Sequence, residues 1–374
     1  MSVLDCLPFS HHDKVNLSPV KSKEWYWHFK DYPKSNGLKV FSCFACAGGS
    51  TMGYKLSGCE VIGCCEIDKR VNKVYVKNHN PKYNYLEDLR EFNRRDDLPK
   101  ELYELDILDG SPPCTPFSLS GDREECWGVN KEFREGQKVQ VLDELPFVFL
   151  ETVGKLKPKV VIMENVVGLL QGNAYEYALK ISKGFKELGY SVRLSIFKGE
   201  RMGVPQVRHR IFYIATRLDF DLNSLNFNYN YAPILYGEIK RGKGKELTDN
   251  MFSIMNEVKF GEMKMTLAWN RLFNAGGEQK AMYFNNVILY EHRVLPTVTT
   301  NHGNMFDFKD KTLLSDESIV NACTFPQDFD FCGVSVGYIC GMSVPPLMIK
   351  RIVDSLIKAG IFEVRNEKDL ELCV

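Results

Sequence analysis

The residues with the clearest chemical potential are a cysteine and a glutamate that follow two different apolar runs. Cys114 lies in DGSPPCTPFS, where prolines on both sides of it stiffen the bend that carries the thiol. Glu164 ends the apolar run KVVIMENV. A thiol beside a carboxylic acid suits covalent addition to a heterocycle, because the acid can meet the charge that develops on the ring. An isolated cysteine is more often a small buried hydrophobe, so the fold must first bring the two side chains together.

A glycine-rich turn precedes both of them. FACAGGSTMG follows the first apolar run and supplies Gly48, Gly49 and Gly53, small residues that let a ligand approach the backbone. The next apolar run ends near Glu66, roughly 20 residues beyond the glycines, where doubly wound folds bind ribose hydroxyls. Together they indicate a nucleoside-containing cofactor. Two other interpretations stay open on these features alone: a Glu66 that only caps its strand, and an NAD-type site.

A parallel sheet would bring these residues to one place. From residue 38 to 217, short apolar runs alternate with helical patterns, which predicts an α/β fold with a doubly wound, mostly parallel sheet. Such sheets place ligands at the carboxyl ends of their strands, so Cys114, Glu164 and the glycine turn would share that edge. The candidate strands are LKVFSCF, CEVIGCCEI, LDILDG, KVVIMENV, SVRLSIF and RIFYIAT.

Two patterns add detail to this sheet. Ala178, Ile181, Phe185 and Leu188 recur at helical spacing, which predicts a helix that lays one apolar stripe on the sheet. The last two candidate strands are joined by GERMGVPQVRH, a connection without a helical pattern. This connection predicts that they form an antiparallel hairpin.

The composition changes along the chain and predicts four parts. After residue 217, Asn and Tyr accumulate, and KRGKGK places four basic residues around glycines, as in a loop-rich lobe. Pro345 and Pro346 then open an apolar-faced helix. The predicted parts are an N-terminal extension at 1–37, a catalytic and cofactor-binding domain at 38–217, a small recognition domain at 218–326, and a segment at 327–374 that returns to the first domain. In the extension, Trp25, Tyr26, Trp27 and Phe29 are candidates for packing on the main lobe.

The bulk composition excludes several classes of protein. No apolar run is long enough to cross a bilayer and no secretory signal is visible, so we expect a cytosolic protein with no membrane role. The 12 cysteines are scattered through a large chain and are expected to be reduced. Cys43 and Cys46 form a lone C-x-x-C without further ligands, so no metal site is expected. The formal net charge is zero, so any nucleic-acid surface must be local.

The ordered motifs resemble those of the DNA cytosine-5 methyltransferase family over nearly all of 38–360. FACAGGSTMG is similar to the family's cofactor glycine loop, DGSPPCTPFS to its nucleophile loop and MENV to its Glu-Asn-Val. GVPQVRHR resembles its Gln-x-Arg-x-Arg element and GMSVPP its final cofactor-side motif. Chance does not readily deliver all of these in one order. The resemblance implies a class I S-adenosylmethionine-dependent methyltransferase fold with a small target-recognition domain.

The resemblance also implies the cofactor and the site residues. S-adenosylmethionine is the implied methyl donor, S-adenosylhomocysteine the product, and no metal is involved. The implied catalytic residues are Cys114, Glu164, Arg208 and Arg210. The implied cofactor-binding residues are Phe44, Ala45, Gly48, Gly49, Glu66, Ile67, Asp88, Leu89, Pro112, Leu145, Met342, Ser343 and Val344. The residues expected to contact double-stranded DNA are Ser118, Gln206, Lys240, Arg241, Lys243 and Lys245.

Several positions depart from the family pattern. Cys46 and Ser111 stand where the family usually has glycine, and Met342 stands where it usually has asparagine. Thr115 replaces a frequent glutamine, and Thr312 replaces a usual arginine, so the packing between the lobes is expected to differ. None of these changes removes a catalytic group.

Other functions remain as alternatives. A tRNA cytosine-5 methyltransferase would use the same chemistry, but that subfamily usually has a Cys-Phe-Thr element where this chain has CTFPQDF. A catalytically silent DNA-binding homologue would be expected to lack Cys114, Glu164 or the glycine loop. A zinc base deaminase needs a P-C-x-x-C ligand pair that Cys114 does not form. We expect a monomer, in a prokaryotic or phage-infected cell, with a restriction endonuclease as a candidate partner.

Overall fold

The computed structural model describes residues 23–113, 131–132, 139–140, 144–274, 277, 282–283 and 285–362. The strands are β1 Lys39–Cys43, β2 Glu60–Cys65, β3 Tyr83–Tyr85, β4 Ile107–Gly110, β5 Lys131–Glu132, β6 Val139–Gln140, β7 Val160–Val166, β8 Ser191–Lys198, β9 His209–Thr216, β10 Val287–Leu289 and β11 Met305–Asp307. The helices are α1 Gly49–Leu56, α2 Lys69–His79, α3 Leu89–Arg94, α4 Leu145–Leu156, α5 Tyr175–Glu187, α6 Tyr236–Ile239, α7 Asp249–Glu257, α8 Thr266–Phe273, α9 Asp316–Ala322, α10 Val336–Met342 and α11 Pro346–Lys358.

A seven-stranded sheet organises the main body of the protein. Its strand order is β3-β2-β1-β4-β7-β9-β8. The first five strands in this order run parallel, whereas β9 runs antiparallel to both of its neighbours. This confirms the predicted doubly wound, mostly parallel sheet and the antiparallel hairpin of β8 and β9. The order in which the chain adds strands reverses between β1 and β4, and such a point opens a ligand cleft at the carboxyl ends of the strands.

Two apolar cores cover the two faces of this sheet. One core lies on the face of the sheet that α1 and α11 cover, and it includes Val40, Ile162 and Ile349. The other includes Phe41, Met163 and Phe185, on the side of α4 and α5. Residues alternate between the faces along each strand, as a sheet buried on both sides requires. Trp25 and Trp27 lie in the first core, where the Trp27 Nε1 donates to the Thr324 carbonyl at 2.9 Å. Phe29 packs against this core, whereas Tyr26 is exposed.

Two details differ from the sequence-based expectations. The edge strand β3 was not among the candidate strands, because its sequence YNY contains no run of aliphatic residues. Leu188 was expected on the apolar stripe of α5, but it lies just beyond the end of that helix and is exposed, whereas Ala178, Ile181 and Phe185 are buried. The helix ends at the Leu188–Gly189 turn, where Gly189 takes a φ of 84° and carries the chain off the sheet.

A small separate core lies between residues 247 and 313. It contains Ile254, Met265 and Phe306, and the two parallel strands β10 and β11 run through it. The flanking parts of the predicted 218–326 domain, including Leu225 and Phe325, pack instead on the main core. The independent part of the small domain is therefore narrower than its sequence boundaries.

One stretch of the described residues, Val336–Lys358, is long and apolar enough to span a membrane by composition. It comprises α10 and α11, and 72% of its apolar window is buried inside the protein. Burial in the core accounts for its composition.

Candidate active site

The glycine turn between β1 and α1 has an unusual backbone. Phe44 and Cys46 have φ values of 52° and 49°, and Gly48 has a φ of 90°. Three left-handed residues within five positions fold the chain back on itself in a compact turn. Cys46 therefore keeps the glycine-like conformation of the position at which it replaces the family's usual glycine.

Two glycines of this turn are required by close contacts. A Cβ at Gly48 would lie 2.0 Å from the Nε2 atom of His79, which also lies 3.1 Å from the Ala47 carbonyl oxygen. A Cβ at Gly49 would lie 2.4 Å from the Val344 carbonyl oxygen and 2.8 Å from the Ser343 Cβ. The predicted cofactor residues of the first and last motifs are therefore in direct contact, although about 290 residues separate them along the chain.

Glu66 is fixed against the same turn. Its Oε2 accepts from the Cys46 amide and its Oε1 from the Asp68 amide, both at 2.8 Å. Burial raises the pKa of Glu66, while these two amides oppose the rise. Two carboxyl oxygens together offer four acceptor sites, so Glu66 keeps acceptor capacity for a ligand hydroxyl.

The remaining predicted cofactor residues lie on neighbouring elements. Asp88 caps α3 by accepting from the Arg90 amide at 2.8 Å and pairs with the Arg90 guanidinium at 3.2 Å. Leu89 and Leu145 are buried in the core on the α4 side. Ile67 follows Glu66 and is partly exposed, as are Phe44 and Met342, whereas Ala45 is buried.

The described part of the nucleophile loop ends just before the predicted nucleophile. Pro112 is buried, and its carbonyl oxygen accepts from the Asn165 Nδ2 at 3.4 Å. This contact ties the loop after β4 to the end of β7. Cys114 and Ser118 lie outside the described residues.

Glu164 forms an ion pair with Arg210 at the end of β7 and the start of β9. The Arg210 Nε lies 2.9 Å from the Glu164 Oε1, and both side chains are largely buried. Burial raises the pKa of Glu164, and the charges of Arg210 and Arg208 oppose the rise. The structure thus brings these two predicted catalytic residues into contact.

Arg208 and Gln206 lie deep in the protein and contact backbone. Arg208 is 2% exposed and donates to the carbonyls of Val298, Gly341 and Ser343 at 3.1, 3.1 and 2.8 Å. Gln206 is fully buried; its Nε2 donates to the Ala322 carbonyl and its Oε1 accepts from the Val298 amide. Their contacts connect the turn before β9 to the small lobe and to the last cofactor motif. A DNA contact by Gln206 is not supported by this placement.

The basic segment of the small lobe, KRGKGK at 240–245, divides into two groups. Lys240 is enclosed by carboxylates, with its Nζ 2.8 Å from Asp307, 2.7 Å from Asp310 and 3.2 Å from Glu291. This neutralises its charge and leaves it poorly placed for the predicted phosphate contact. The other members, Arg241, Lys243 and Lys245, are exposed.

The sequence interpretation gave no role to Asp109. This residue is 2% exposed at the end of β4 and accepts from the Ser42 hydroxyl at 2.6 Å and the Tyr54 hydroxyl at 3.1 Å. Burial raises its pKa to about 7, although both hydroxyls lower it. The available signal was the second acidic residue of the candidate strand LDILDG, which directly follows two aliphatic residues.

A family model for C-5 cytosine-specific DNA methylases matches residues 38–358. The chain belongs to this family. Among curated methylases, the Type II methyltransferase M.FnuDI of Fusobacterium nucleatum is 30% identical over 227 residues, which cover 61% of this chain and 58% of that protein. The Type II methyltransferase M1.HphI of Haemophilus parahaemolyticus is 24% identical over 344 residues, which cover 87% and 88% of the two chains. The chain therefore spans less than two thirds of the first relative and most of the second.

Solved structures of other methyltransferases share the fold. A mutant of Spodoptera frugiperda DNMT2 superposes with a TM-score of 0.58 at 15% identity, covering 86% of this chain and all of that one. The Entamoeba histolytica methyltransferase EhMeth gives 0.57 at 13% identity, covering 86% and 98%. The methylase described here thus has the class I methyltransferase fold.

Proposed function

We propose that this protein transfers a methyl group from S-adenosylmethionine to carbon 5 of a cytosine in double-stranded DNA. The observation that carries the proposal is the buried Glu164–Arg210 pair, at the sheet edge to which the Pro112 carbonyl is also tied. An acid and a planar cation at this place match the two polar edges of a cytosine, its ring nitrogen 3 and its carbonyl oxygen.

The cofactor site fits an adenosyl ligand. Gly48 and Gly49 have no room for side chains beside His79 and Val344, and this close packing holds the turn in a compact shape that suits a cofactor-binding glycine loop. Glu66 is held by two amides with acceptor capacity left for ribose hydroxyls. S-adenosylmethionine would supply an electrophilic methyl group. Asp88, Leu89 and Leu145 are assigned to its adenine side, and Met342, Ser343 and Val344 to the segment that closes on the glycine turn.

The chemistry then depends on three side chains of this protein. Carbon 5 of cytosine is a poor nucleophile, so the Cys114 thiolate adds to carbon 6 and places electron density on ring nitrogen 3. Protonated Glu164 meets that nitrogen, and Arg210 holds the carbonyl oxygen. After carbon 5 is methylated, loss of its proton and β-elimination release Cys114. The cytosine must leave the base stack to reach the site.

The small lobe would supply contacts to DNA. Lys243 and Lys245 are exposed and suit phosphates, with Arg241 beside them, and Ser118 is assigned to the same substrate from the sequence. Its relatives named above are bacterial Type II methyltransferases, which supports a cytoplasmic prokaryotic or phage-encoded enzyme with a restriction endonuclease partner. We assign it as a monomer.

Duplex DNA that contains 5-fluorocytosine tests this function. The fluorine blocks release after methyl transfer, so the wild-type protein should form a covalent adduct that survives denaturing electrophoresis only when S-adenosylmethionine is present. Cys114→Ser should form none, and Cys332→Ser, at a partly exposed cysteine far along the chain, is the matched control and should form as much as wild type. An adduct that survives Cys114→Ser would refute the nucleophile, and no adduct with wild type on DNA of mixed sequence would refute the function.

A further inference from the structure

One buried acid near the site has no role in the chemistry above. Asp109 ends β4 five positions before Cys114 and is 2% exposed. Its two carboxyl oxygens accept from Ser42 on β1 and from Tyr54 on α1, the helix that follows the glycine turn. Asp109 therefore connects β4, the strand that leads to Cys114, with β1 and with the helix that follows the glycine turn.

The sheet register places Asp109 on the same face as Glu164. Asp109 pairs with Ser42 on one side and with Ile162 on the other. Side chains alternate along a strand, so Glu164 points to the same face as Ile162, two residues further towards the carboxyl edge. One strand spacing and a two-residue offset put the two α-carbons about 8 Å apart. No strand separates them.

The surroundings of Asp109 suit a group that changes charge. The Ser42 and Tyr54 hydroxyls stabilise its carboxylate, while burial favours the neutral acid and raises its pKa to about 7. The titratable groups that face it are Glu164 on β7, Tyr54 on α1, Cys43 on β1 and Tyr75 on α2. Burial raises the pKa of all four groups, and Glu164 is the carboxylic acid among them, with Arg210 and Arg208 opposing the rise in its pKa.

We propose that Asp109 is a positioning residue for the proton of Glu164, with which it interacts by charge across the β4–β7 pair. An ionised Asp109 disfavours a second negative charge nearby and so keeps Glu164 protonated, the form that the proposed reaction needs. This inference rests on the proposed function for its consequence in catalysis, but the charge coupling itself is a property of the folded protein.

The pH dependence of kcat tests the catalytic consequence. Asp109→Asn removes the charge, so the alkaline pH at which activity falls by half should move down by about one unit. Asp106→Asn is the matched control, because Asp106 is a buried acid of the adjoining turn that bonds Lys39 and Lys159 about 10 Å away, at the other end of the strand. The control should keep the wild-type midpoint. An Asp109→Asn enzyme with an unchanged midpoint would overturn the proposal.

A double-mutant cycle tests the coupling without activity. Unfolding free energies are measured for wild type, Asp109→Asn, Glu164→Gln and the double variant at pH 8 and pH 5. Asp109 carries its charge at pH 8 and is neutral at pH 5, so the two substitutions should be non-additive at pH 8 and more nearly additive at pH 5. Additivity at both pH values would overturn the coupling. If the wild-type protein methylated no DNA, the proposed function would be refuted. The double-mutant cycle would still test the charge coupling, because it measures unfolding and not activity.

Discussion

The Glu164–Arg210 pair shows how single residues prepare the site. The Arg210 guanidinium lies 2.9 Å from the acid and shields a charge that would otherwise be buried alone. A cytosine that enters the site must share both groups, and its carbonyl oxygen is the natural new partner for Arg210. Glu164 is then released to take a proton. Burial already raises the pKa of Glu164, and loss of the nearby positive charge of Arg210 would raise that pKa further.

Glu164→Gln should reduce the rate of methyl transfer by about 10²- to 10⁴-fold, the usual contribution of general acid catalysis. The amide can still donate to ring nitrogen 3 but cannot transfer a proton. Single-turnover transfer of a labelled methyl group to duplex DNA measures the effect, with cofactor affinity checked by calorimetry. A variant that retains the wild-type rate would show that the acid has no part in the chemical step.

The identities of the residues were more predictable than their partners. Glu66 and Glu164 could be expected at one edge because parallel strands end there, and the structure places both at that edge. Arg208 could not be assigned its contacts, because the carbonyls that it binds lie 90 to 135 residues away in sequence. Lys240 looked like part of an exposed basic run, and only the fold shows that three carboxylates surround it.

The turn between β1 and α1 is the element that defines the cofactor side. Its shape depends on Gly48, where a side chain would meet both a left-handed backbone and the His79 ring. His79 is buried at the end of α2, and burial lowers its pKa to about 3, so it stays neutral beside the turn. A neutral ring can donate one hydrogen bond to the Ala47 carbonyl without bringing a charge into the core.

Gly48→Ala should therefore weaken S-adenosylmethionine binding by at least about tenfold, as the turn shifts to relieve the overlap. Gly360→Ala is the matched control, because Gly360 has a similar φ of 74° and open space around it. The control should lose only about 1 kcal/mol of stability from backbone strain and keep full affinity. Calorimetric titration with the cofactor separates the two. Equal affinity in both variants would mean that the turn tolerates the overlap.

The basic segment of the small lobe is a second element with a measurable role. Lys243→Ala and Lys245→Ala should each reduce the slope of log Kd against log salt for duplex DNA by about 1, the effect of one lost phosphate contact. Lys240→Ala should leave this slope unchanged and lower the unfolding temperature instead, because Asp307 would be left buried without its cation. Fluorescence anisotropy over a range of salt concentrations measures the slope. A change in slope for Lys240→Ala alone would reverse this assignment.

At the scale of the whole molecule, the turn before β9 connects three regions. Gln206 pairs with Leu295 and bonds Val298, at the exit from the small lobe. Arg208 reaches the last cofactor motif. Arg210, two residues further, holds Glu164. Three residues at alternate positions therefore contact the small lobe, the proposed cofactor side and the proposed catalytic acid.

Arg208→Met should lower the unfolding free energy by about 3–5 kcal/mol, since it removes the donor to three carbonyls, of which those of Val298 and Ser343 are in buried contacts. Cofactor affinity should fall with it, because Ser343 is one of those carbonyls. Arg217→Met is the matched control, since Arg217 also bonds two carbonyls but is exposed, so water replaces it. Chemical denaturation of the two variants makes the comparison. A cost for Arg208→Met no larger than that of the control would show that the three contacts add nothing to the fold.

The Gln206–Val298 contact also limits how these enzymes exchange specificity. Consider a chimera that takes its recognition module from another methyltransferase, with junctions inside 295–298. Gln206 would lose its backbone pairing with Leu295 and its bond to the Val298 amide, and the strand that carries Arg210 would be misaligned. Residues 295–298 lie inside the stretch of the small core, 247–313, so a graft of that whole stretch would replace both of these partners of Gln206. An exchange that preserves the placement of Arg210 must therefore leave 295–298 as the native sequence.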